Sequence, residues 1–225
     1  MKKAIILCSG GLDSITTAYY VKKKLDYEDI SVMFFNYGQK SLDKEREFSR
    51  KCAVDLGGDF IEVDFKWLGE LSNSLINKAG KINKLSVDDL KDTKEEAKSW
   101  YVPNRNSIFL NYAIALAESL EGADIFVGFK NEGEENYPDT TPGFMKKMNE
   151  LVKVACSNEI NIIAPFIKKD KEDIIHMGKT LGVDFKKTFS CYIEKEKHCG
   201  YCLACKLRQQ GFKWANIEDP TEYES

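Results

Sequence analysis

The sequence predicts an α/β fold with a parallel sheet, and three observations support this prediction. Short apolar runs alternate with stretches of helical periodicity along most of the 225 residues. The connections between them are short, as in right-handed βαβ units. A glycine-rich turn joins the first strand to the first helix, which is typical of nucleotide-binding α/β proteins. We place this domain at residues 1–183 and a small cysteine-bearing region at 184–225.

The first apolar run, at 4–8, predicts a strand that is buried on both faces, and apolar residues at helical spacing follow it. Between them stands Ser-Gly-Gly-Leu-Asp-Ser at 9–14. Backbone N–H groups and the helix dipole converge at such a turn and favour phosphate, and glycines allow its close approach. Asp13 or Ser14 is expected to cap the helix. A carboxylate beside phosphates needs a cation between them, so we interpret the turn as a pyrophosphate cradle in which Asp13 holds Mg²⁺. The structural alternative is an ordinary capped Gly-Gly turn.

The next elements continue the alternation as far as residue 66. A strand at 30–35 leads through a loop with a glycine and amide side chains into a polar helix at 41–56, which Gly57 ends. A third strand follows at 60–63. The segment 67–100 then breaks the pattern, because Lys, Asp, Glu and Asn dominate it; we expect a lid, an oligomer contact or a mobile loop there.

Regular structure returns with a helix predicted over about 105–121, which is apolar on nearly all sides and should be buried centrally. Arg105 stands at its start, where a cation opposes the helix dipole. We therefore predict that its planar guanidinium reaches phosphate oxygens or a carboxylate in the cleft. The alternative is a surface arginine with a structural carboxylate partner.

A strand at 123–129 ends in a polar loop at 130–142. If this strand neighbours the first one, the loop faces the glycine-rich turn across the crevice at the switch point of the sheet. Asp139 is the carboxylate that we predict to bind substrate, because a carboxylate can accept two N–H bonds from an amidine edge such as that of guanine. The other loop carboxylates are Glu132, Glu134 and Glu135. The last predicted elements are a helix at 144–157, a strand at 160–165 and a helix at 171–181 ended by Gly182.

Four cysteines near the C-terminus lie as Cys-x7-Cys-x2-Cys-x2-Cys: Cys191, Cys199, Cys202 and Cys205. Two Cys-x2-Cys steps place three thiolates around a tight knuckle, and four soft ligands suit tetrahedral Zn²⁺. With every position filled by Cys, the zinc is predicted to be structural. His198 in place of one cysteine and an iron–sulfur cluster are the alternatives. Basic residues nearby, Arg208 among them, would offset the charge of the thiolates.

Composition excludes several classes of protein. The net charge is −3, so no general basic field attracts nucleic acid, and we expect no nucleic-acid partner. No apolar run reaches membrane-spanning length, so we expect no membrane partner. Seven cysteines without a secretory signal indicate a reducing cytoplasm.

Four unrelated motifs occur in a fixed order: the turn at 9–14, Pro-Asn-Arg-Asn at 103–106, Tyr-Pro-Asp at 137–139 and the four-Cys cluster. In this order they closely resemble the 7-cyano-7-deazaguanine synthase family of the PP-loop ATP pyrophosphatases, over about residues 3–212. The resemblance implies a Rossmann-like fold of the adenine nucleotide α hydrolase type with a small zinc-bearing C-terminal region. It also implies a homodimer.

The activity implied by the resemblance is that of an ATP-dependent carbon–nitrogen ligase in queuosine biosynthesis. ATP would adenylate first the acid and then the amide, converting 7-carboxy-7-deazaguanine and ammonia into 7-cyano-7-deazaguanine. The implied catalytic residues are Asp13 on Mg²⁺, Ser14 on pyrophosphate with Ser9, Gly10 and Gly11, and Arg105 on the phosphates or the substrate carboxylate; Asp139 would read the deazaguanine. The family's ATP-binding stretch maps to Cys8, Ser9, Gly10, Gly11, Leu12, Asp13, Ser14, Ile15, Thr16, Thr17 and Ala18, and its zinc ligands map to the four cysteines.

The sequence departs from the family before Tyr-Pro-Asp. Members usually carry a Ser-Gly pair there, preceded by an acidic and an aromatic residue, whereas this chain has Glu134-Glu135-Asn136. A shifted substrate is therefore one hypothesis. Two other classes stay open: a tRNA-modifying PP-loop enzyme that adenylates a base before thiolation or amine attack, and a zinc module that only senses nucleotides.

Overall fold

The predicted parallel sheet is confirmed in the computed structural model, which describes residues 2–130, 136–193 and 196–224. Five strands lie side by side in the order β3-β2-β1-β4-β5, and every neighbouring pair is parallel. The strand predicted at 160–165 is shorter than expected, because only two of its residues pair with β4. The strands are β1 Lys3–Leu7, β2 Asp29–Asn36, β3 Asp59–Asp64, β4 Asp124–Val127 and β5 Ile162–Ile163.

Eight α-helices connect and cover the strands in the described part of the chain. Gly57 and Gly182 end the second and seventh of them in the left-handed conformation, as the sequence predicts. The eighth helix, which follows the third clustered cysteine, was not among the predicted helices. The helices are α1 Leu12–Lys24, α2 Leu42–Leu56, α3 Lys66–Leu71, α4 Lys94–Trp100, α5 Arg105–Ser119, α6 Pro142–Ala155, α7 Lys171–Leu181 and α8 Leu203–Trp214.

Two sequence expectations about helices are wrong in detail. Helix α1 is capped by Gly11 rather than by Asp13 or Ser14, and no side chain caps it. Its first-turn N–H groups therefore stay available. Helix α5 is buried on one face only: Leu110 and Ala113 are fully buried, but 40% of Tyr112 is exposed. Apolar residues around a helix indicate burial only where another element covers each side.

Two apolar cores lie on opposite faces of the sheet. Helices α5 and α6 and the four cysteines pack on one face. Helices α1, α2 and α7 pack on the other, joined by Phe212 of α8. The segment 67–100 contributes Leu68, Ile76 and Trp100 to the first core, so part of it is anchored to the domain. Within the described ranges, no helix combines the length and the apolar character needed to cross a membrane.

Candidate active site

A cleft of about 310 Å³ opens at the carboxyl ends of β1, β2 and β4. Strand β1 lies between β2 and β4, so the strand order reverses here, as at the ligand-binding crevice of open α/β sheets. The expected adjacency of the first and fourth strands is thus confirmed. The cleft brings together the predicted residues Cys8, Ser9, Gly11, Leu12, Asp13, Ser14, Arg105 and Asp139. By contrast, Ile15, Thr16, Thr17 and Ala18 are buried along α1.

The glycine-rich turn is held in one conformation by contacts on several sides. Gly10 has φ +72°, and a Cβ there would lie 2.6 Å from the backbone oxygen of Glu45. The Ser14 hydroxyl lies 3.4 Å from that of Ser9 and donates to the Gly11 carbonyl at 3.1 Å. A Cβ on Gly128, just after β4, would lie 2.8 Å from the Ser14 backbone. Both glycines are required because neighbouring backbone passes too close for any side chain.

Asp13 lies in the first turn of α1 and forms an ion pair with Lys171. The Lys171 Nζ is 2.5 Å from Asp13 Oδ2, and 14% of the Lys171 side chain is exposed. Asp13 Oδ1 is buried and has no hydrogen-bond partner among the described residues. A buried carboxylate oxygen left open beside an uncapped helix N-terminus fits a hard cation bridging to phosphate.

Lys171 was missed by the sequence analysis, although a usable signal was present. It is the first residue of α7, whose N-terminus has a capping box between Asp170 and Asp173. A lysine at that position opposes the helix dipole in the same way as Arg105 does. Arg105 and Lys171 both stand at helix N-termini, and this position marks both as candidates for anion binding.

Arg105 begins α5 and reaches into the cleft. Its Nη1 donates to the Tyr37 hydroxyl at 3.1 Å, and its guanidinium lies over the rings of Tyr37 and Phe109 at 5.4 and 5.9 Å. Burial opposes its charge, but Tyr37, Asp139 and Tyr192 outweigh that cost and raise the pKa of Arg105. Burial raises the pKa of Tyr37 to about 12, so its hydroxyl is neutral at pH 7. Arg105 is therefore a fixed positive charge on the cleft wall.

Asp139 lies beside the start of α5, in a short 3-10 turn at Pro138–Thr140. It is 6% exposed, and its Oδ2 accepts the backbone N–H of Asn106 at 3.1 Å. The Asn106 side chain donates back to the Asp139 carbonyl at 3.3 Å. This pair fixes Asp139 to the start of α5. The loop carboxylates Glu132, Glu134 and Glu135 lie outside the described residues.

Glu45 of α2 is a second cleft residue that the sequence analysis missed. Its carboxylate accepts hydrogen bonds from the Ser41 hydroxyl at 2.6 Å and from Gln39 Nε2 at 3.0 Å. Burial raises its pKa, and these hydrogen bonds together with Arg105 act against the rise. No local motif marked Glu45, because the sequence of α2 is polar and is typical of a solvent-exposed helix.

The four clustered cysteines form a buried group whose sulfur atoms all lie within 4.8 Å of one another. Backbone N–H groups of Tyr201 and Cys202 donate to Cys199 Sγ at 3.4 and 3.2 Å. Those of Ile193 and Cys199 donate to Cys191 Sγ at 3.4 and 3.5 Å. Hydrogen bonds from its thiol neighbours hold the pKa of Cys199 below its ordinary value. Closely spaced sulfurs that accept backbone N–H bonds fit a thiolate-bound metal ion.

Two residues near the cluster, His198 and Arg208, make hydrogen bonds to other parts of the chain. The Nε2 of His198 accepts a hydrogen bond from the backbone N–H of Ser190 at 3.0 Å, so its lone pair is engaged there rather than on a metal. Burial is the main cause that lowers the pKa of His198, to about 4. Arg208, expected to offset thiolate charge, donates instead to Thr188 at 2.7 Å and pairs with Asp219.

Comparison with known proteins identifies the family to which the chain is similar. The family model described as queuosine biosynthesis protein QueC matches residues 3–216. A 7-cyano-7-deazaguanine synthase of Methanosphaera stadtmanae is 38% identical, over 99% of this chain and 98% of that protein. One of Rickettsia felis is also 38% identical, over 99% of this chain and 100% of that protein.

A solved structure, the U34-tRNA thiolase NcsA from Methanococcus maripaludis with its [4Fe-4S] cluster, aligns at a TM-score of 0.47 and 16% identity. The alignment covers 96% of this chain and 64% of that one, and a likeness this low bears on no functional question. The sequence relatives and the family model are decisive, since both extend over nearly the whole chain. The chain therefore belongs to the queuosine biosynthesis protein QueC family.

Proposed function

We propose that this chain is an ATP-dependent carbon–nitrogen ligase that converts 7-carboxy-7-deazaguanine and ammonia into 7-cyano-7-deazaguanine. Its relatives carry the name of this activity. The observation that carries the proposal is a single cleft that combines an uncapped helix N-terminus, the open oxygen of Asp13 and the neighbouring side chains of Arg105 and Asp139. Such a cleft can hold the phosphates of ATP against a carboxylated base.

The chemistry needs a leaving group in place of a carboxylate oxygen. The carboxylate of the substrate would attack the α-phosphorus of ATP, releasing pyrophosphate and forming an acyl-adenylate. Ammonia then forms the C–N bond, and AMP leaves with the C–O electron pair. In the second round the amide oxygen would attack the α-phosphorus of a second ATP and release pyrophosphate. The C–O bond then breaks, AMP leaves with its electron pair, and loss of both nitrogen protons gives the nitrile.

The groups of the cleft would stabilise the negative charges of ATP and of the transition state. The N–H groups at the start of α1, with Ser9 and Ser14, would bind pyrophosphate, and Lys171 and Arg105 would neutralise charge that develops on the phosphates. Mg²⁺ on Asp13 would supply further neutralisation between the carboxylate and the phosphates. The cleft walls must exclude water, because water would hydrolyse the acyl-adenylate.

We assign recognition of the deazaguanine edge to Asp139, and Asp139→Asn tests this. One oxygen of Asp139 is already engaged by the Asn106 N–H, so an asparagine would keep its carbonyl there and turn its NH₂ toward the base. A donor would then meet the donors of the guanine-like edge. We expect KM for the deazaguanine acid to rise about tenfold or more, with the Kd for ATP within about twofold of wild type. An unchanged KM would contradict the assignment.

We propose that the four-cysteine cluster holds one structural Zn²⁺. Four thiolate ligands leave no position open for water, which suits a structural rather than a catalytic ion. Elemental analysis of purified protein should give about one zinc per chain. Iron in that ratio, with visible absorbance, would favour the iron–sulfur alternative instead.

The remaining sequence predictions stay predictions. They are the division into 1–183 and 184–225, the homodimer and the cytoplasmic location.

Phe65, Trp67 and Tyr112 form an aromatic patch, with the Phe65 ring 5.9 Å from the Trp67 ring and 5.5 Å from the Tyr112 ring. Trp67 and Tyr112 are about half exposed, and we propose this patch as the contact surface of the homodimer.

The deciding experiment is to incubate the protein with ATP, Mg²⁺, ammonia and 7-carboxy-7-deazaguanine. We expect pyrophosphate, AMP and the nitrile to form, and all three to require the carboxylated base. AMP formation that ignores the deazaguanine but responds to tRNA would overturn the proposal in favour of the tRNA-modifying class. ATP binding without any turnover would favour the nucleotide-sensing class.

A further inference from the structure

One segment of the C-terminal region contacts the glycine-rich turn directly. The backbone N–H of Phe189 donates to the Gly10 carbonyl at 2.8 Å. The Phe189 carbonyl would in turn lie 3.7 Å from a Cβ on Gly11. The Gly10 carbonyl shares one planar peptide unit with the N–H of Gly11, so the orientation of the carbonyl fixes the direction of that N–H. Phe189 therefore braces the turn from outside.

Arg208 of α8 holds this segment in place. Its Nη1 donates to the Thr188 hydroxyl at 2.7 Å and to the Ser190 hydroxyl at 3.3 Å, so it contacts both neighbours of Phe189. Its Nη2 donates to the Phe185 carbonyl at 3.1 Å. The guanidinium is 2% exposed. One planar guanidinium thus binds three acceptors of the segment 185–190.

The outer edge of the same guanidinium makes a separate contact. Arg208 Nε donates to Asp219 Oδ1 at 3.3 Å, and Asp219 also receives the N–H of Thr221 and the hydroxyl of Tyr223. Asp219 thus binds Arg208 from the side of the C-terminal tail, away from the segment at 185–190. All three guanidinium nitrogens have an oxygen partner within the protein.

We infer that Arg208 is a positioning residue for the phosphate cradle. It fixes Thr188 and Ser190, they fix the Phe189 N–H, and this N–H fixes the Gly10 carbonyl and so aims the N–H groups of the turn at the phosphates. Lysine cannot replace it, because a single ammonium lacks the planar fork that meets acceptors on both sides of Phe189. The inference rests on the proposed function only in that the turn binds ATP phosphates.

Binding measurements on three variants test the inference: Arg208→Lys, Thr188→Val and the surface control Arg50→Lys. Calorimetry would give the Kd for ATP with Mg²⁺ and, separately, the Kd for the deazaguanine acid. We expect Arg208→Lys to weaken ATP binding about tenfold and Thr188→Val to weaken it about threefold. Both should keep the deazaguanine Kd within about twofold and the metal content of wild type. Arg50→Lys, the same change at an arginine whose side chain is 60% exposed on α2, should bind ATP as wild type does.

Three outcomes would overturn the inference. Unchanged ATP affinity in Arg208→Lys would show that the phosphate cradle does not depend on the guanidinium. Weakened binding in Arg208→Lys with unchanged binding in Thr188→Val would indicate that Arg208 contacts phosphate itself. Equal losses of ATP affinity, deazaguanine affinity and metal in either variant would indicate a general packing role. If wild type binds ATP yet forms no nitrile, the proposed function fails while the comparison of affinities stands.

Discussion

Replacing Asp13 with asparagine is expected to reduce AMP formation about 100-fold or more. Asp13 Oδ1 is a buried oxygen without a hydrogen-bond partner among the described residues, and Oδ2 is engaged by Lys171. An asparagine has nearly the same size but no charge, so it cannot hold a divalent cation between itself and the phosphates. Steady-state release of AMP and pyrophosphate with the deazaguanine acid measures the effect.

The matched control is Asp43→Asn on α2, which neutralises an exposed carboxylate paired with Arg46. This control should keep wild-type turnover, because a surface ion pair contributes little. Both variants should keep the metal content of wild type, since neither residue belongs to the cysteine cluster. Wild-type AMP formation by Asp13→Asn would remove the basis of the proposed mechanism.

The glycine-rich turn was predictable from sequence because its chemistry is local. Six consecutive residues supply the glycines and the carboxylate, and the flanking apolar periodicities place them between a strand and a helix. The sheet was predictable for the same reason, since short connections allow few topologies. The cap of α1 was not, because a helix that begins at Leu12 places Asp13 and Ser14 inside the first turn.

Contacts between residues far apart in the sequence could not be predicted in the same way. Lys171 meets Asp13 across 158 positions of sequence, and only the packing of α7 against α1 brings them together. Tyr37 meets Arg105 across 68 positions. The cysteine spacing predicted that four thiols cluster, but nothing in it showed that the chain just before Cys191 contacts Gly10. Contacts that cross between elements depend on the fold rather than on any local pattern.

Replacing Cys202 with serine is expected to give the largest loss of stability. Cys202 is fully buried at the start of α8, and the four-cysteine cluster belongs to one of the two apolar cores. Metal binding in structural four-thiolate sites contributes on the order of 10 kcal/mol of apparent free energy at neutral pH. Losing even about 3 kcal/mol of it should lower Tm by about 10 °C in a domain of this size.

Thermal unfolding with parallel metal analysis measures this effect, and Cys156→Ser is the matched control. Cys156 follows α6, is only partly buried and lies outside the cluster, so its serine variant should keep both the metal and a Tm within a few degrees of wild type. A strong chelator should lower the Tm of wild type toward that of Cys202→Ser and leave that variant unchanged, because both treatments remove the same ion. A Cys202→Ser protein that keeps the wild-type Tm without metal would show that the core holds this region unaided. In that case the braced position of Gly10 would depend on Arg208 and packing alone.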